Sequence, residues 1–303
     1  VMPSSARRPV SNARDGCRRV PKLSVVIPAY NNAAVIEDTV VSILKQDYAD
    51  YELIISDHSS TDRTMDVLQQ FEHHPLVSLH TTTAGGGAQK NWRRVSDAAS
   101  GEYIKLVCGD DVLYPGMLAA QVRALDAHPS AVAVSSRRDI LDAHGVPIIR
   151  GRGLQGLAGV VCGVDAIRRT IRLGTNVFGE PVCVTLRRDA LEQAGGWDGR
   201  FPYLIDMTSY SNPLLQGDLV ALDQTLAGFR VTATQWSVAL VNQQASQSKA
   251  YNRWFQAQVP DRISTADLWL GNRRAEVMAL ERRMFYSLFR SRLRPPVQEH
   301  GHG

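Results

Sequence analysis

The chain is short of cysteine, lysine and long apolar runs. Its four cysteines, Cys17, Cys108, Cys162 and Cys183, lie far apart and form no CxxC pair. That spacing argues against a zinc site and a disulfide framework, and it suits a reducing cytoplasm. Cys108 and Cys183 fall inside apolar, strand-like runs and read as small core residues. No apolar stretch approaches the roughly 18–20 residues of a membrane span. Arginine pairs near the start precede no hydrophobic segment, so a secretory signal is not expected. The net charge of +4 is too small to indicate a nucleic-acid binder. The glycine run Gly85-Gly86-Gly87 fits neither GxxxxGK[ST] nor GxGxxG, which excludes a P-loop or dinucleotide fingerprint there. There is no internal repeat.

What is present is ordinary in bulk: 303 residues, 44% hydrophobic and 21% charged. Such a chain can bury a large core without a metal or a disulfide to hold it. Residues 1–21, rich in Arg, Ser and Pro, read as a disordered leader. From Lys22 the pattern alternates. Leu23–Ile27, ended by Pro28, reads as a buried strand, and residues 34–46 carry a helical stripe. A strand at 51–55, a helix after Ser59-Ser60-Thr61-Asp62, a strand at 77–80, a helix at 88–99 and a strand at 103–108 follow. This alternation predicts a parallel α/β sheet with right-handed crossovers. Beyond Pro115 the expectations are a helix to about 127, a strand at 131–135, a long loop over 145–163 and a strand at 182–186. A short helix at 188–194 and a helix over 203–216, broken or kinked by Pro213, complete the pattern.

In open parallel sheets, ligands bind at the carboxyl ends of the strands. Three such ends carry polar groups: Tyr30-Asn31, Asp57-His58 and Asp110-Asp111. They should converge on one cleft. The adjacent pair Asp110-Asp111 is the most informative, because two buried carboxylates repel each other and lose hydration. A cation or polar ligand groups would offset that cost. The plain alternative is a helix-capping Asp followed by a turn Asp before Pro115.

Three segments, LSVVIPAYNNAAVIEDTVVSILKQ, YELIISDHSSTDRTMDVL and SGEYIKLVCGDDVLYPGML, together resemble the front half of family 2 glycosyltransferases, which have the GT-A fold. The resemblance runs from about Lys22 to Arg138 and continues more weakly through PVCVTLRRDALEQAGGWDGRFPYLIDMTSY. It implies a mixed, mainly parallel α/β sheet flanked by helices, with a donor half at 22–138, an acceptor half at 139–235 and a helical C-terminal extension at 236–303. It also implies roles. Asp111 would bind Mn²⁺ or Mg²⁺, a hard cation suited to carboxylate and phosphate oxygens, and Asp110 would face the ribose. Pro28, Ala29, Tyr30 and Asn31 would meet the nucleotide, with Tyr30 stacking on its base, and Asp57 would sit beside them. His58 and Ser59 replace the second acid and the Gly of the family's DDGSTD-like motif, and Cys108 stands where many members have a third Asp. Uridine, thymidine and guanosine donors all remain open. Lys90, or the backbone of the glycine loop before it, is either a diphosphate contact or part of a plain turn.

An inverting transfer needs one carboxylate to deprotonate the acceptor hydroxyl. Asp206, shortly after Gly195-Gly196-Trp197-Asp198, is the candidate base; Asp198 reads as closing the turn. Glu180 is a second acid on the acceptor side, as base or acceptor contact. The polar stretch Met207–Asn212 would tune the acceptor pocket, and Thr232 stands where relatives often have a His. With no QxxRW-like signature, transfer of a single sugar is expected. The partners implied are a nucleotide-sugar donor and a glycan, lipid-linked or small-molecule acceptor, with no nucleic acid. The basic segment 273–294 either docks on its own domain or a homodimer partner, or lies on the inner face of a bacterial membrane. The function expected is metal-dependent, inverting transfer of one sugar in bacterial glycan or glycosylated-metabolite biosynthesis. Its rivals are a silent glycosyltransferase-like binding module and a sugar-1-phosphate nucleotidyltransferase, although the latter's Gly-rich loop after the first strand is replaced by PAYNNAAV.

Overall fold

The computed structural model describes residues 20–233, 235 and 240–294. Most of the expected leader, Cys17 and parts of the C-terminal extension lie outside those residues. The first half alternates as the sequence pattern requires: β1 (Leu23–Ala29), α1 (Ile36–Leu44), β2 (Tyr51–Asp57), α2 (Thr64–Gln69), β3 (Val77–Thr81), α3 (Gly87–Ser96) and β4 (Tyr103–Leu106). These four strands pair in parallel in the order β3-β2-β1-β4. β1 is covered on both faces, so every one of its residues is buried and its sequence is continuously apolar rather than alternating.

Pro28 does not end β1. Val26 O accepts from Val107 N on the β4 side, and Ala29 O accepts from His58 N on the β2 side. Alternate residues therefore face alternate neighbours, and Pro28 faces β4, where the ladder has already stopped at Val26–Leu106. Its missing N–H costs no hydrogen bond there.

The second half adds β5 (Val112–Leu113), α4 (Met117–Ala127), β6 (Ala131–Leu141), β7 (Pro147–Arg152), β8 (Gly159–Cys162), α5 (Gly163–Leu173), β9 (Val184–Arg187), α6 (Arg188–Gln193), α7 (Ile205–Leu214) and β10 (Asp218–Arg230). The sheet continues β4-β9-β6-β10-β5. From β3 through β10 only β9 runs against its neighbours. The sheet is thus mixed and mainly parallel, with helices packed on it.

Three expectations change here. Residues 145–163 are not one long loop: β7 pairs with β6, and β8 with β10. Their glycines hide the strands by composition; Gly153 and Gly156 supply the left-handed backbone of the turn between them. The expected strand at 182–186 begins only at Val184, because Pro181 opens a 3-10 turn over Pro181–Cys183. The strand at 131–135 extends to Leu141, where Arg138, Asp139 and the rest stay buried or half-buried.

Lys105 lies inside β4 and is fully buried. Its ammonium donates to Val182 O at 2.6 Å, Val184 O at 3.3 Å and Gln121 Oε1 at 3.1 Å. One side chain thereby ties β4 to the turn and to α4. Burial pushes its pKa down to about 7.

Two long helices end the described chain: α8 (Gln244–Gln258) and α9 (Thr265–Leu288). α9 starts in a capping box, Ser264 with Asp267. Asp267 also takes ion pairs from Arg168 (2.8 Å) and Arg172 (2.9 Å) of α5. A Cβ at Gly271 would lie 2.4 Å from Ile171 O, and one at Gly174 would lie 2.5 Å from Ala275 N. Two glycines, one from each side, thus bring α9 onto the end of α5. Among the described residues, no helix is long and apolar enough to cross a membrane.

Candidate active site

The ladder register levels the strand ends. Ala29 pairs with Asp57, and Val26 pairs with Leu106, which places Tyr30, His58 and Asp110 at one edge of the sheet. Tyr30 is 52% exposed, and its ring meets His58 edge-on at 6.2 Å. Asn31 has a left-handed backbone (φ 51°) and accepts from Thr61 N at 2.8 Å. The buried Asp57 carboxylate accepts from Ser60 N at 3.1 Å and Ser60 Oγ at 2.5 Å, so its visible bonds hold the turn after β2. Pro28 and Ala29 are buried within β1. Lys90 is exposed in the first turn of α3, its stem against Gly86. Among the described residues no contact joins it to the carboxylates.

Asp110 and Asp111 are both buried. Asp111 Oδ1 accepts from Arg230 N at 3.0 Å, while Asp111 Oδ2 is buried without a hydrogen-bond partner. Asp110 Oδ2 accepts from Gln235 Nε2 at 3.1 Å. Burial pushes both carboxyls up, and Asp110 pushes Asp111 further. Arg230 braces the pair: its Nε donates to Asp110 O at 2.9 Å and its guanidinium reaches Asp38 at 3.0 Å. Cys108 offers a third atom, all three groups lying within 4.8 Å of one another. Burial pushes the Cys108 thiol up, so it is a neutral, soft neighbour beside two hard oxygens. Two carboxylates with an orphaned buried oxygen fit an oxygen-seeking divalent cation.

Across the cleft stands Asp206, in the first turn of α7, where its charge suits the helix dipole. Asn176 Nδ2 donates to Asp206 Oδ2 at 3.0 Å and to Gly179 O at 2.9 Å. Burial raises Asp206 to about 7. Glu180 is held by the buried Arg138, with Nη2 to Oε1 at 2.8 Å and Nε to Oε2 at 2.5 Å. Asp206 and Glu180 both act electrostatically on Cys108, and Glu180 acts on Asp111. Asp206 and Glu180 therefore lie near the carboxylate pair, beside a cavity whose lining includes neither Asp110 nor Asp111.

Asp206, Glu180, Asn176 and Arg138 line a cavity of about 320 Å³ roofed by α8 and α9. Of the polar stretch of α7, Met207 lines this cavity. Ser209 and Ser211 turn inward and donate to the carbonyls of Ile205 (2.6 Å) and Met207 (2.8 Å) one turn back. Asp198 accepts from Arg200 N at 2.9 Å and Asn212 Nδ2 at 3.2 Å, and so closes the turn.

Sequence reasoning missed Arg230, Gln235, Arg138 and Asn176. A signal existed for two of them: an arginine at the end of the apolar run Leu226–Phe229, and one inside the buried run of β6.

EpsE of Bacillus subtilis (strain 168), described as a putative glycosyltransferase, is 30% identical over 128 residues, 42% of this chain and 46% of that one. Structural similarity joins the chain to Staphylococcus aureus TarS 1–349 in complex with UDP-GlcNAc (TM-score 0.63, 18% identity, 78% of this chain, 66% of that one). It also joins it to the mannosyltransferase PcManGT from Pyrobaculum calidifontis in complex with GDP-Man and Mn²⁺ (TM-score 0.59, 19% identity, 88% and 75%). At these identities the two structures establish a shared fold. The chain spans less than half the length of EpsE and of most other curated relatives it matches. The sequence profile of glycosyl transferase family 2 matches residues 24–193, from β1 to the end of α6, and the chain belongs to that family.

Proposed function

We propose that the protein transfers one sugar from a nucleoside-diphosphate sugar to an acceptor hydroxyl, with inversion. One observation carries the reading: a buried carboxylate pair with an unpartnered oxygen stands at the strand ends, and a third carboxylate, Asp206, lines a cavity nearby. The catalytic unit is taken as residues 22–235, with 22–138 holding the donor, and the C-terminal extension roofs the acceptor cavity. Tyr30 stacks on the base beside Pro28, Ala29 and Asn31, while Asp57 keeps the turn that shapes this wall. Asp110 faces the ribose, and Lys90 lies on the diphosphate side. Asp111 would hold Mn²⁺ or Mg²⁺ through its free oxygen, and the chemistry so supplied is neutralisation of the leaving nucleoside diphosphate. Asp206 takes the acceptor proton. A carboxylate with a pKa of about 7 is a stronger base than an exposed one and is still largely ionised just above neutrality. Asn176 fixes its orientation, and Arg138 holds Glu180 in place as an acceptor contact.

Turnover assays with UDP-, GDP- and TDP-sugars, with and without Mn²⁺, test the reading. No turnover, together with no metal-dependent nucleotide binding, would leave a silent binding module. Release of a nucleoside triphosphate from donor and pyrophosphate would instead favour a nucleotidyltransferase.

The outer face of α9 bears on where this occurs. The segment has two apolar stripes. Met278 and Phe285 face the cavity, while Trp269, Val277, Leu280, Met284 and Leu288 are exposed. Arg273 and Arg283 lie on that outer face. We place it against the anionic inner surface of a bacterial membrane, which complements its arginines. Co-sedimentation with phosphatidylglycerol vesicles, and not with phosphatidylcholine alone, is expected. A concentration-dependent dimer without vesicle binding would assign the face to a second copy.

A further inference from the structure

The cavity beside Asp206 has a charge problem of its own. Arg138, Arg152 and Arg282 all line it. Arg138 is matched by Glu180. Arg152, at the end of β7, has no acid within ion-pair distance among the described residues, and it is only partly exposed. Burial and the neighbouring Arg138 push its pKa down, against a smaller upward pull from Glu180 and Glu281. Among the described residues Arg282 has no ion pair: Nη1 donates to Gln244 Oε1 at 3.1 Å, and the guanidinium lies over the Tyr203 ring at 5.7 Å. Of the remaining lining acids, burial raises Asp206 to about 7 and its carboxylate accepts from Asn176, while Glu281 is exposed with no ion pair among the described residues.

The rest of the lining is apolar. Ile140, Ile149, Phe229, Val231 and Phe285 belong to a small hydrophobic cluster separate from the main core. Those five and Met278 border the cavity from β6, β7, β10 and α9. Two unmatched guanidiniums beside an apolar wall suit a ligand that carries both an oxyanion and a hydrocarbon part.

Resting on the reading of this cavity as the acceptor side, we propose that the acceptor is an anionic amphiphile. Its phosphate or carboxylate group is bound by Arg152 and Arg282, and its apolar portion lies along Ile140, Ile149 and Phe285. The paired anion relieves the uncompensated charge that the empty cavity leaves on β7 and α9. The hydroxyl to be glycosylated then lies toward Asp206, on the wall nearer the donor.

Calorimetry on the full chain tests this with n-octyl phosphate, octanoate, octyl glucoside and inorganic phosphate, each below its critical micelle concentration where one exists. The charged amphiphiles are expected to bind at least about tenfold more tightly than octyl glucoside. The Arg152→Gln/Arg282→Gln double variant should lower their affinity to the octyl glucoside level and leave octyl glucoside binding as it was. Equal binding of charged and neutral amphiphiles to the wild type overturns the proposal, as does an undiminished preference in the double variant. Inorganic phosphate binding as tightly as octyl phosphate overturns its apolar half and assigns the site to a soluble phosphate compound. Octanoate matching octyl phosphate identifies the anion as any oxyanion; a preference for octyl phosphate identifies it as phosphate. The same titrations on Asp206→Asn separate the two readings. Amphiphile binding without transfer by the wild type strikes at the proposed reaction alone. Transfer without charge preference strikes at this inference alone.

Discussion

The two ends of the cleft solve opposite electrostatic problems. At the strand ends, Asp110 and Asp111 bury a surplus of negative charge, relieved by Gln235, the backbone of Arg230 and the Arg230 guanidinium close by. Under α9, Arg152 and Arg282 have no direct ion pair among the described residues, Arg282 meeting Gln244 and the Tyr203 ring instead. Neither arrangement helps the fold, since an ionic group taken partly out of water without a direct partner is costly. Each is a preorganised demand for a ligand of the other sign. The carboxylates sit where the parallel sheet ends, while the arginines come from an edge strand and an added helix. On the proposed reading, the donor end rests on the central parallel sheet, and acceptor choice on a peripheral strand and helix.

The sharpest break in that comparison is Asp206→Asn. It should lower kcat by about 10³-fold while metal-dependent nucleotide affinity is kept, because a base acts only at the chemical step. Wild-type transfer rates would move the base elsewhere, Glu180 being next. Arg230→Met should come second. With its guanidinium gone, Asp110 and Asp38 lose their brace, and nucleotide affinity in the presence of Mn²⁺ should fall by about tenfold or more; an unchanged Kd would detach Arg230 from the donor end.

A third test uses pH. Asp206 is active when ionised, so transfer should rise as pH climbs through about 7 and then level off. Stability moves the other way. The folded pKa is raised above the unfolded value of about 3.9, so the native state binds the extra proton. Its stabilising effect is complete below about pH 4 and lost as pH rises through about 7. Asp206→Asn should therefore flatten that part of the stability profile, and a higher melting temperature at pH 8 is expected. An unaltered profile would mean that the carboxyl titrates normally.

The smallest effect expected is at Tyr30. Tyr30→Ala should raise donor KM by a few-fold to about tenfold, the usual worth of one stacking contact, with kcat little changed. A larger loss in kcat would show that Tyr30 also orders the sugar.

The strand ends were legible in the sequence because β1, β2 and β4 are almost wholly buried and read as mainly apolar runs rather than alternating ones. Once they are placed in parallel, Tyr30, Asp57 and Asp110 fall at one edge without further information. The arginine-lined end was not legible. β10 is interrupted by Asp223 and Gln224, where its register against β6 shifts, so its apolar pattern breaks mid-strand. Arg138 meets Glu180 across 42 residues, and Arg230 meets Asp110 across 120. No local periodicity reports such pairs. α9 was visible as a basic amphipathic segment, but its two apolar stripes, one inward and one outward, can be told apart only once the helix is docked.

That docking has a consequence for how such a protein can diversify. α9 stands on α5 through Gly271 and Gly174, and through Asp267 clamped by two arginines. The fastening points use none of the residues that α9 turns toward the cavity. Met278, Arg282 and Phe285 can therefore change identity while the joint stays intact, as the bits of a tool change while its chuck does not. On the proposed reading, a lineage alters what it glycosylates by editing one turn or two of a single helix, leaving the carboxylates of the strand ends and α7 untouched.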